Sequence, residues 1–234
     1  GRYSIVFNGE IYNYLEIKSK LENLGYSFKT SGDTEVLFIA LKHWGKKAMH
    51  YLNGMWAFAF FDIEKETFFL CRDRFGEKPL YIRQDSHQLT FASEVKAIEA
   101  LTSEKEDINQ EQILRYMILG YKSLYKSNQT FFKKIQEVPK AHILEINKEG
   151  DTKLECYWKP SLETKPMSYE EAVFGFKEKM IDGVKKRMRT DVPLAFCLSG
   201  GIDSASLASI AVKESGMDIN TFSIIVQDER YNED

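Results

Sequence analysis

No apolar run in the 234 residues approaches the roughly 20 that a membrane-spanning helix needs, and the first residues form neither a signal peptide nor a transit sequence. A spanning helix is therefore not expected. Cysteine is scarce. Cys71, Cys156 and Cys197 are odd in number, far apart and set in apolar surroundings, which suits buried thiols in a reducing compartment rather than a disulfide framework. The cytoplasm is the expected location, and Asn128-Gln129-Thr130 then reads as a chance glycosylation sequon. Neither sign of charge dominates: 32 Lys and Arg against 35 Asp and Glu give a net charge of −3, mixed along the chain. That balance leaves no basic footprint for nucleic acid or an anionic membrane. The four histidines, His43, His50, His87 and His142, lack metal-ligand spacing. Internal repeats and low-complexity tracts are absent.

What is present is 43% hydrophobic and 13% aromatic residues, enough for one large core or two modest ones. Ser4 to Phe7 reads as a strand running into a glycine-containing turn. A helix from Tyr14 to Leu24 carries Leu15, Ile17, Leu21 and Leu24 and stops at Gly25, and a second runs from about Asp33 to Trp44 and stops at Gly45. From Met55 the pattern becomes short apolar and aromatic runs, MWAFAFFDI, TFFLCRD, PLYIRQ and QLTFAS, which read as antiparallel strands. AHILEIN and KLECYW add two more. The Pro-bearing KPSLETKPM that follows reads as a linker. Residues 1–160 thus form an α+β domain of antiparallel sheets with flanking helices, 161–167 a connection, and 168–234 the start of a second domain.

In that second part Ser168 and Glu171 form a capping box ahead of Ala172, Val173, Phe176, Met180, Val184 and Met188, an amphipathic face expected to pack in a core. The buried strand VPLAFCL then meets SGGIDS, a helix carries Leu207, Ile210 and Ala211, and INTFSIIV supplies another strand. Strand, loop, helix, strand is one parallel crossover of a doubly wound α/β sheet.

Two glycines at a strand-to-helix junction let backbone N–H groups approach an anion at the positive end of a helix, so Ser199-Gly200-Gly201-Ile202-Asp203-Ser204 is a candidate phosphate loop. The bland alternative is a tight glycine turn capped by Asp203 or Ser204. The loop has neither the Gly-Lys-Ser/Thr of a Walker motif nor a dinucleotide GxGxxG. It resembles the pyrophosphate loop of the ATP pyrophosphatase superfamily. That resemblance implies ATP bound by Ser199, Gly200, Gly201 and Ser204, with Asp203 facing Mg2+, and adenine contacts at Leu198 and Ile224.

FNGEIYN at 7–13, SGDTE at 31–35, NGMWAFAFFD at 53–62, RDRFGEKPLY at 72–81 and FASEVKA at 91–97 resemble, in order, the glutaminase domain of the asparagine synthetase family. The resemblance implies an N-terminal nucleophile-type glutaminase fold fused to the ATP domain. Asn8 and Gly9 would form its oxyanion hole, and Asn8, Gly9, Glu10 and Asp33 would bind glutamine. Taken singly, the bland readings are an Asn-Gly turn and a helix N-cap at Asp33. Arg72, Asp73, Arg74 and Lys78, and Glu94 and Lys96, are expected to serve structure rather than chemistry.

Members of that family attack glutamine with an N-terminal cysteine. Gly1 has no side chain to do so, Ser4 has its amine in a peptide bond, and Cys71 and Cys197 lie inside predicted strands. The expectation is an internal piece of a longer enzyme, itself inactive. The parent would use glutamine, aspartate and ATP, with a homodimer as its expected assembly. Its rivals are a relative that amidates another carboxylate and a non-catalytic relative that only binds glutamine or ATP. SGGIDS argues against an amidotransferase that makes aminosugars or purines.

Overall fold

A computed structural model describes residues 1–85, 88–216 and 218–224, and the chain divides into two units, Gly1–Ser161 and Leu162–Asp234. In the first, β1 (Tyr3–Ile11) is followed by α1 (Tyr14–Asn23), α2 (Asp33–Trp44) and a 3₁₀ segment, Gly45–His50. Then come β2 (Gly54–Asp62), β3 (Thr67–Arg72), β4 (Tyr81–Gln84), β5 (Leu89–Ala92), α3 (Val95–Thr102), α4 (Gln110–Leu119) and a second 3₁₀ segment, Tyr121–Lys126. Three strands close the unit: β6 (Ile135–Glu137), β7 (His142–Ile146) and β8 (Thr152–Cys156).

Five strands form one antiparallel sheet in the order β1-β2-β3-β7-β8, and three form another in the order β5-β4-β6. The alternation of β2 decides how they stack. Trp56, Phe58 and Phe60 face Ile17 and Leu21 of α1 and Val36, Leu37 and Leu41 of α2, together with Phe69, Cys71 and Ile143 from the neighbouring strands. The alternate positions of β2 are small. Ala57 and Ala59, with Leu70 and Leu144, pack on Leu80, Ile82, Leu89 and Phe91, so a thin apolar layer lies between the two sheets. Helices, first sheet and second sheet are successive layers, the arrangement that a strand alternating large and small residues on a two-sided core favours.

One buried carboxylate holds the turn after β3. Asp73 accepts the N–H groups of Phe75 (3.0 Å), Glu77 (3.0 Å), Lys78 (2.9 Å) and Trp56 (3.3 Å). Arg72 does the complementary work on carbonyls. Its guanidinium donates to the oxygens of Lys78 (2.8 Å), Gly76 (3.1 Å) and Val138 (3.0 Å) and to Glu137 Oε2 (2.6 Å). Both side chains serve the turn's backbone, which is what the sequence suggested for RDRFGEKPLY.

Three expectations are corrected here. Asn8-Gly9 is not a turn: β1 runs straight through both residues because Ala57 and Trp56 pair opposite them. Cys71 is buried, and burial pushes its thiol well above the ordinary range, whereas Cys156 and Cys197 are exposed. Cys156 ends β8, the edge strand of its sheet, with its thiol donating to Trp158 O at 3.2 Å. In the second unit, α5 (Tyr169–Arg187) has the expected capping box, with Glu171 N donating to Ser168 Oγ (3.1 Å) and Ser168 N to Glu171 Oε2 (2.8 Å). Its apolar face is largely uncovered among the described residues, however: Val173 and Phe176 are exposed and only Val184 is buried. There β9 (Ala195–Cys197), α6 (Ile202–Ser215) and β10 (Asn220–Phe222) form the parallel crossover, with β9 and β10 paired. Residues 225 and 226 of the predicted last strand lie outside the described residues.

Asp73→Ala would leave three backbone N–H groups of the turn and the buried Trp56 N–H of β2 without their acceptor, at about 1–3 kcal/mol for each group that stays unsatisfied. A loss of at least about 3 kcal/mol in urea unfolding is the expected result. A loss below about 1 kcal/mol would show that the turn does not depend on this carboxylate.

Candidate functional site

The position of Gly9 follows from the hydrogen-bond alternation of an antiparallel pair. Ile63 N donates to Arg2 O at 2.9 Å, so the pairs Ser4/Phe61, Val6/Ala59, Asn8/Ala57 and Glu10/Met55 are the bonded ones. Gly9/Trp56 and Ile11/Gly54 are then non-bonded pairs, and the N–H groups of Gly9 and Ile11 point to the open side of β1. Ile11 N confirms the direction, because it donates to Asp33 Oδ2 at 2.8 Å. Gly9 N–H therefore faces outward, two residues before a strand end tied down by the first residue of α2.

Non-bonded pairs bring backbones closest, and this one is unusually close. A Cβ at Gly9 would stand 2.2 Å from Met55 O and 2.8 Å from Trp56 Cα, and one at Gly54 would stand 2.0 Å from Glu10 O. Only glycine fits either position. Asn8 and Glu10 project from the opposite face of the strand and are both exposed. Asn8 Nδ2 donates to Ser93 Oγ at 3.0 Å, which leaves its second N–H available. Ser93 follows β5 in the FASEVKA string, beside Glu94 and Lys96. Those two pair with each other at the surface, 2.6 Å apart.

The structure thus brings a side-chain amide, an outward backbone N–H and two carboxylates to one end of β1. Asp33 is not an N-cap. Gly32 holds that position with no side-chain cap, and Asp33 spends one oxygen on Ile11. Nearby loops are fixed in the same manner. Asn13 Oδ1 accepts from Asn53 N (2.8 Å) and Asn13 Nδ2 donates to Tyr51 O (2.8 Å), locking the start of NGMW to the end of FNGEIYN. Glu35 accepts from Lys29 N (2.9 Å), Thr30 N (2.6 Å) and Thr30 Oγ1 (2.7 Å), and these bonds hold its carboxyl below the usual range.

In the second unit, β9 runs into the turn that opens α6. Gly200 has φ +77°, a conformation that glycine adopts freely, and Gly201 is the N-cap without a side-chain cap bond. Ser204 Oγ accepts from Ser199 N (3.2 Å) and donates to Gly201 O (3.1 Å), and the two serine hydroxyls lie 3.2 Å apart. The first helical bond is Ala205 N to Gly201 O, so the amides of Ile202, Asp203 and Ser204 have no partner within the helix. Asp203 is exposed beside them. Leu198 is fixed by its N–H on Phe222 O (2.8 Å), and Ile224, beyond β10, is 93% exposed. Among the described residues no group of three His, Cys, Asp or Glu could hold a metal ion.

The profile of the glutamine amidotransferase domain matches residues 1–158. The chain belongs to the glutamine amidotransferase domain family. Residues 175–234 match the asparagine synthase profile. The chain is 34% identical over 231 residues to asparagine synthetase [glutamine-hydrolyzing] 1 of Bacillus subtilis, covering 99% of this chain and 36% of that protein. With putative asparagine synthetase [glutamine-hydrolyzing] 2 of Methanocaldococcus jannaschii it shares 38% over 229 residues, 94% of this chain and 42% of that one. It therefore spans well under half the length of these curated relatives. A glutamine phosphoribosylpyrophosphate amidotransferase of B. subtilis, solved with ADP and GMP, is similar at 20% identity with a TM-score of 0.46 over 97% of this chain and 46% of its own.

Two outcomes follow. Gly9→Ala would force β1 from β2 and cost about 2 kcal/mol in urea unfolding, the usual scale of overpacking; an unchanged midpoint would contradict the close approach. Because the folded-state pKa of Glu35 is depressed, its stabilisation of the 29–30 loop is present above the ordinary glutamate pKa and lost as pH falls through the lowered value. The Thr30 amide resonance should therefore titrate with a midpoint below about 4.3, and Glu35→Gln should abolish the titration; a midpoint at or above 4.3 would reject the assignment.

Proposed function

We propose that the whole protein is a glutamine-hydrolysing ligase that converts aspartate to asparagine at the expense of ATP. The observation that carries this reading is the pairing, in one chain of the amidotransferase family, of the outward Gly9 N–H beside the Asn8 amide with a second unit matching asparagine synthase. At the glutaminase site, the oxygen of a tetrahedral intermediate formed at the glutamine carboxamide is received by Gly9 N–H and Asn8 Nδ2. Ser93 holds the Asn8 side chain in place. Glu10 and Asp33 receive the substrate's ammonium and backbone. None of this strains the site, since the donors are set before substrate arrives. Cys71 is not the nucleophile: it is buried and its thiol is raised out of the reactive range.

At the second site, the free amides at the start of α6 and the hydroxyls of Ser199 and Ser204 bind the phosphates of ATP, with Gly200 and Gly201 letting the backbone close on them. Leu198 and Ile224 lie against the adenine. Mg2+ would be held by Asp203 together with phosphate oxygens and water, and would neutralise charge on the leaving pyrophosphate. The aspartate β-carboxylate attacks the α-phosphorus and pyrophosphate departs. Ammonia then attacks the acyl carbon of the aspartyl-adenylate and AMP leaves, giving asparagine. That ammonia is released at the first site, where water hydrolyses the glutamine carboxamide and glutamate leaves. The cytoplasm is the proposed location and a homodimer the proposed assembly.

The test uses the whole protein. Asn8→Ala should cut glutamine-dependent asparagine formation by about 10²–10³, the usual loss for one oxyanion donor, while ammonia-dependent formation stays within about twofold. Equal loss with both nitrogen sources would remove Asn8 from the glutaminase site. ATP–pyrophosphate exchange that requires aspartate, and not other carboxylates, would support the acceptor; exchange with a different acid would replace it.

A further inference from the structure

Apart from both candidate sites, the first unit holds a cavity of about 620 Å3 bounded by the turn after β3, the stretch leading into β7 and the residues that follow β8. That size lies within the range of small-molecule sites, roughly 300–1,000 Å3. Two rings supply its apolar surface. Phe75 is 68% exposed and meets Trp158 edge-on, with ring centroids 5.4 Å apart. Its charge is of one sign. Arg74, Lys126, Lys140 and Lys159 line it, while Glu137, the carboxylate among the lining residues, is already bonded to Arg72 at 2.6 Å. His142, also in the wall, is held through Nδ1 on Lys140 O at 2.7 Å.

The wall also contains unmet hydrogen-bonding capacity. Arg74 Nε and Ser127 Oγ are buried atoms with no partner among the described residues. Arg74 is otherwise fixed, with Nη2 donating to Met49 O at 3.3 Å and its guanidinium 5.8 Å from the Trp158 ring centroid. Buried donors are rarely left orphaned unless a ligand or water takes them.

We propose that this cavity binds a free nucleoside phosphate, with its base against Trp158 and Phe75 and its phosphates on Lys126, Lys140 and Lys159. Cations without free carboxylate partners select an anion, and adjoining rings select a planar apolar group joined to it. Inorganic phosphate alone would leave the rings unused. A nucleic-acid strand is disfavoured by the net charge of −3 and the lack of a basic stripe along the chain. The inference stands on residues separate from the Ser199–Ser204 loop and does not depend on the activity proposed for it.

The experiment is a titration of the whole protein with AMP carrying an N-methylanthraniloyl ribose label, read by energy transfer from tryptophan and by calorimetry with unlabelled AMP. Trp158→Ala should weaken one class of site by at least about tenfold, the scale of one base–aromatic stack. Lys126→Ala/Lys140→Ala/Lys159→Ala should do the same in calorimetry, and Trp158→Phe should restore most of the affinity. Any ATP–pyrophosphate exchange seen in the unmodified protein should be unchanged in all three. The proposal is overturned if AMP affinity is the same in every variant, if inorganic phosphate competes as well as AMP, or if a single-stranded oligonucleotide binds more tightly than AMP.

Discussion

At Gly9 and Gly54 the backbones of β1 and β2 approach within a distance that no Cβ could share, and the layout of the first unit depends on that contact. It fixes the register of nine residue pairs, from Tyr3/Asp62 to Ile11/Gly54. The register in turn sends Trp56, Phe58 and Phe60 to the helices and keeps Ala57 and Ala59 for the second sheet. A slip of one residue would exchange the two faces and put three aromatic rings into the thin layer between the sheets. The same register decides that Gly9 presents its N–H to the open side rather than to β2. Core packing and the polarity of the candidate site are thus set by one close backbone contact.

Arg72 and Asp73 are the polar counterpart of that contact. They stand at the end of β3, one gathering carbonyls and the other gathering N–H groups, so the turn from Phe75 to Lys78 is built around side chains instead of a backbone ladder. Ala141 N donates to Asp73 O and Val138 N to Leu80 O, which carries the same organisation to the approach to β7. Part of the cavity wall, from Arg72 to Gly76 and from Glu137 to Ala141, is made of these hydrogen-bonded segments.

Much of this was legible in the chain because it is written locally. The alternation in MWAFAFFDI and TFFLCRD, the glycine after α2 and the Ser168–Glu171 box each sit within a few residues of the structure they specify. What could not be read depends on distant partners. Asn8-Gly9 has the local preference of a turn, and its pairing with Trp56 and Ala57 overrides it. Ser93 lies 85 residues from the Asn8 amide it receives, and no pattern in either string points to the other. β6 is three residues long, too short to show a period, and α3 begins two residues after the QLTFAS string that reads as a strand. Cys156 and Cys197 looked buried from their apolar neighbours, but burial at a sheet edge is decided by what lies beside the strand.

The bond from Ile11 N to Asp33 bears on how β1 meets other chains. An edge strand invites any extended segment to add itself on, and nine residues of open edge would be a template for uncontrolled stacking. With its last outward amide already taken by a carboxylate from α2, and the Gly9 amide before it reserved for the candidate site, this edge can be extended only along the residues that precede Gly9. Asp33 therefore works as a terminator: it leaves the edge usable for a short, defined partner and closed to one that would continue past it.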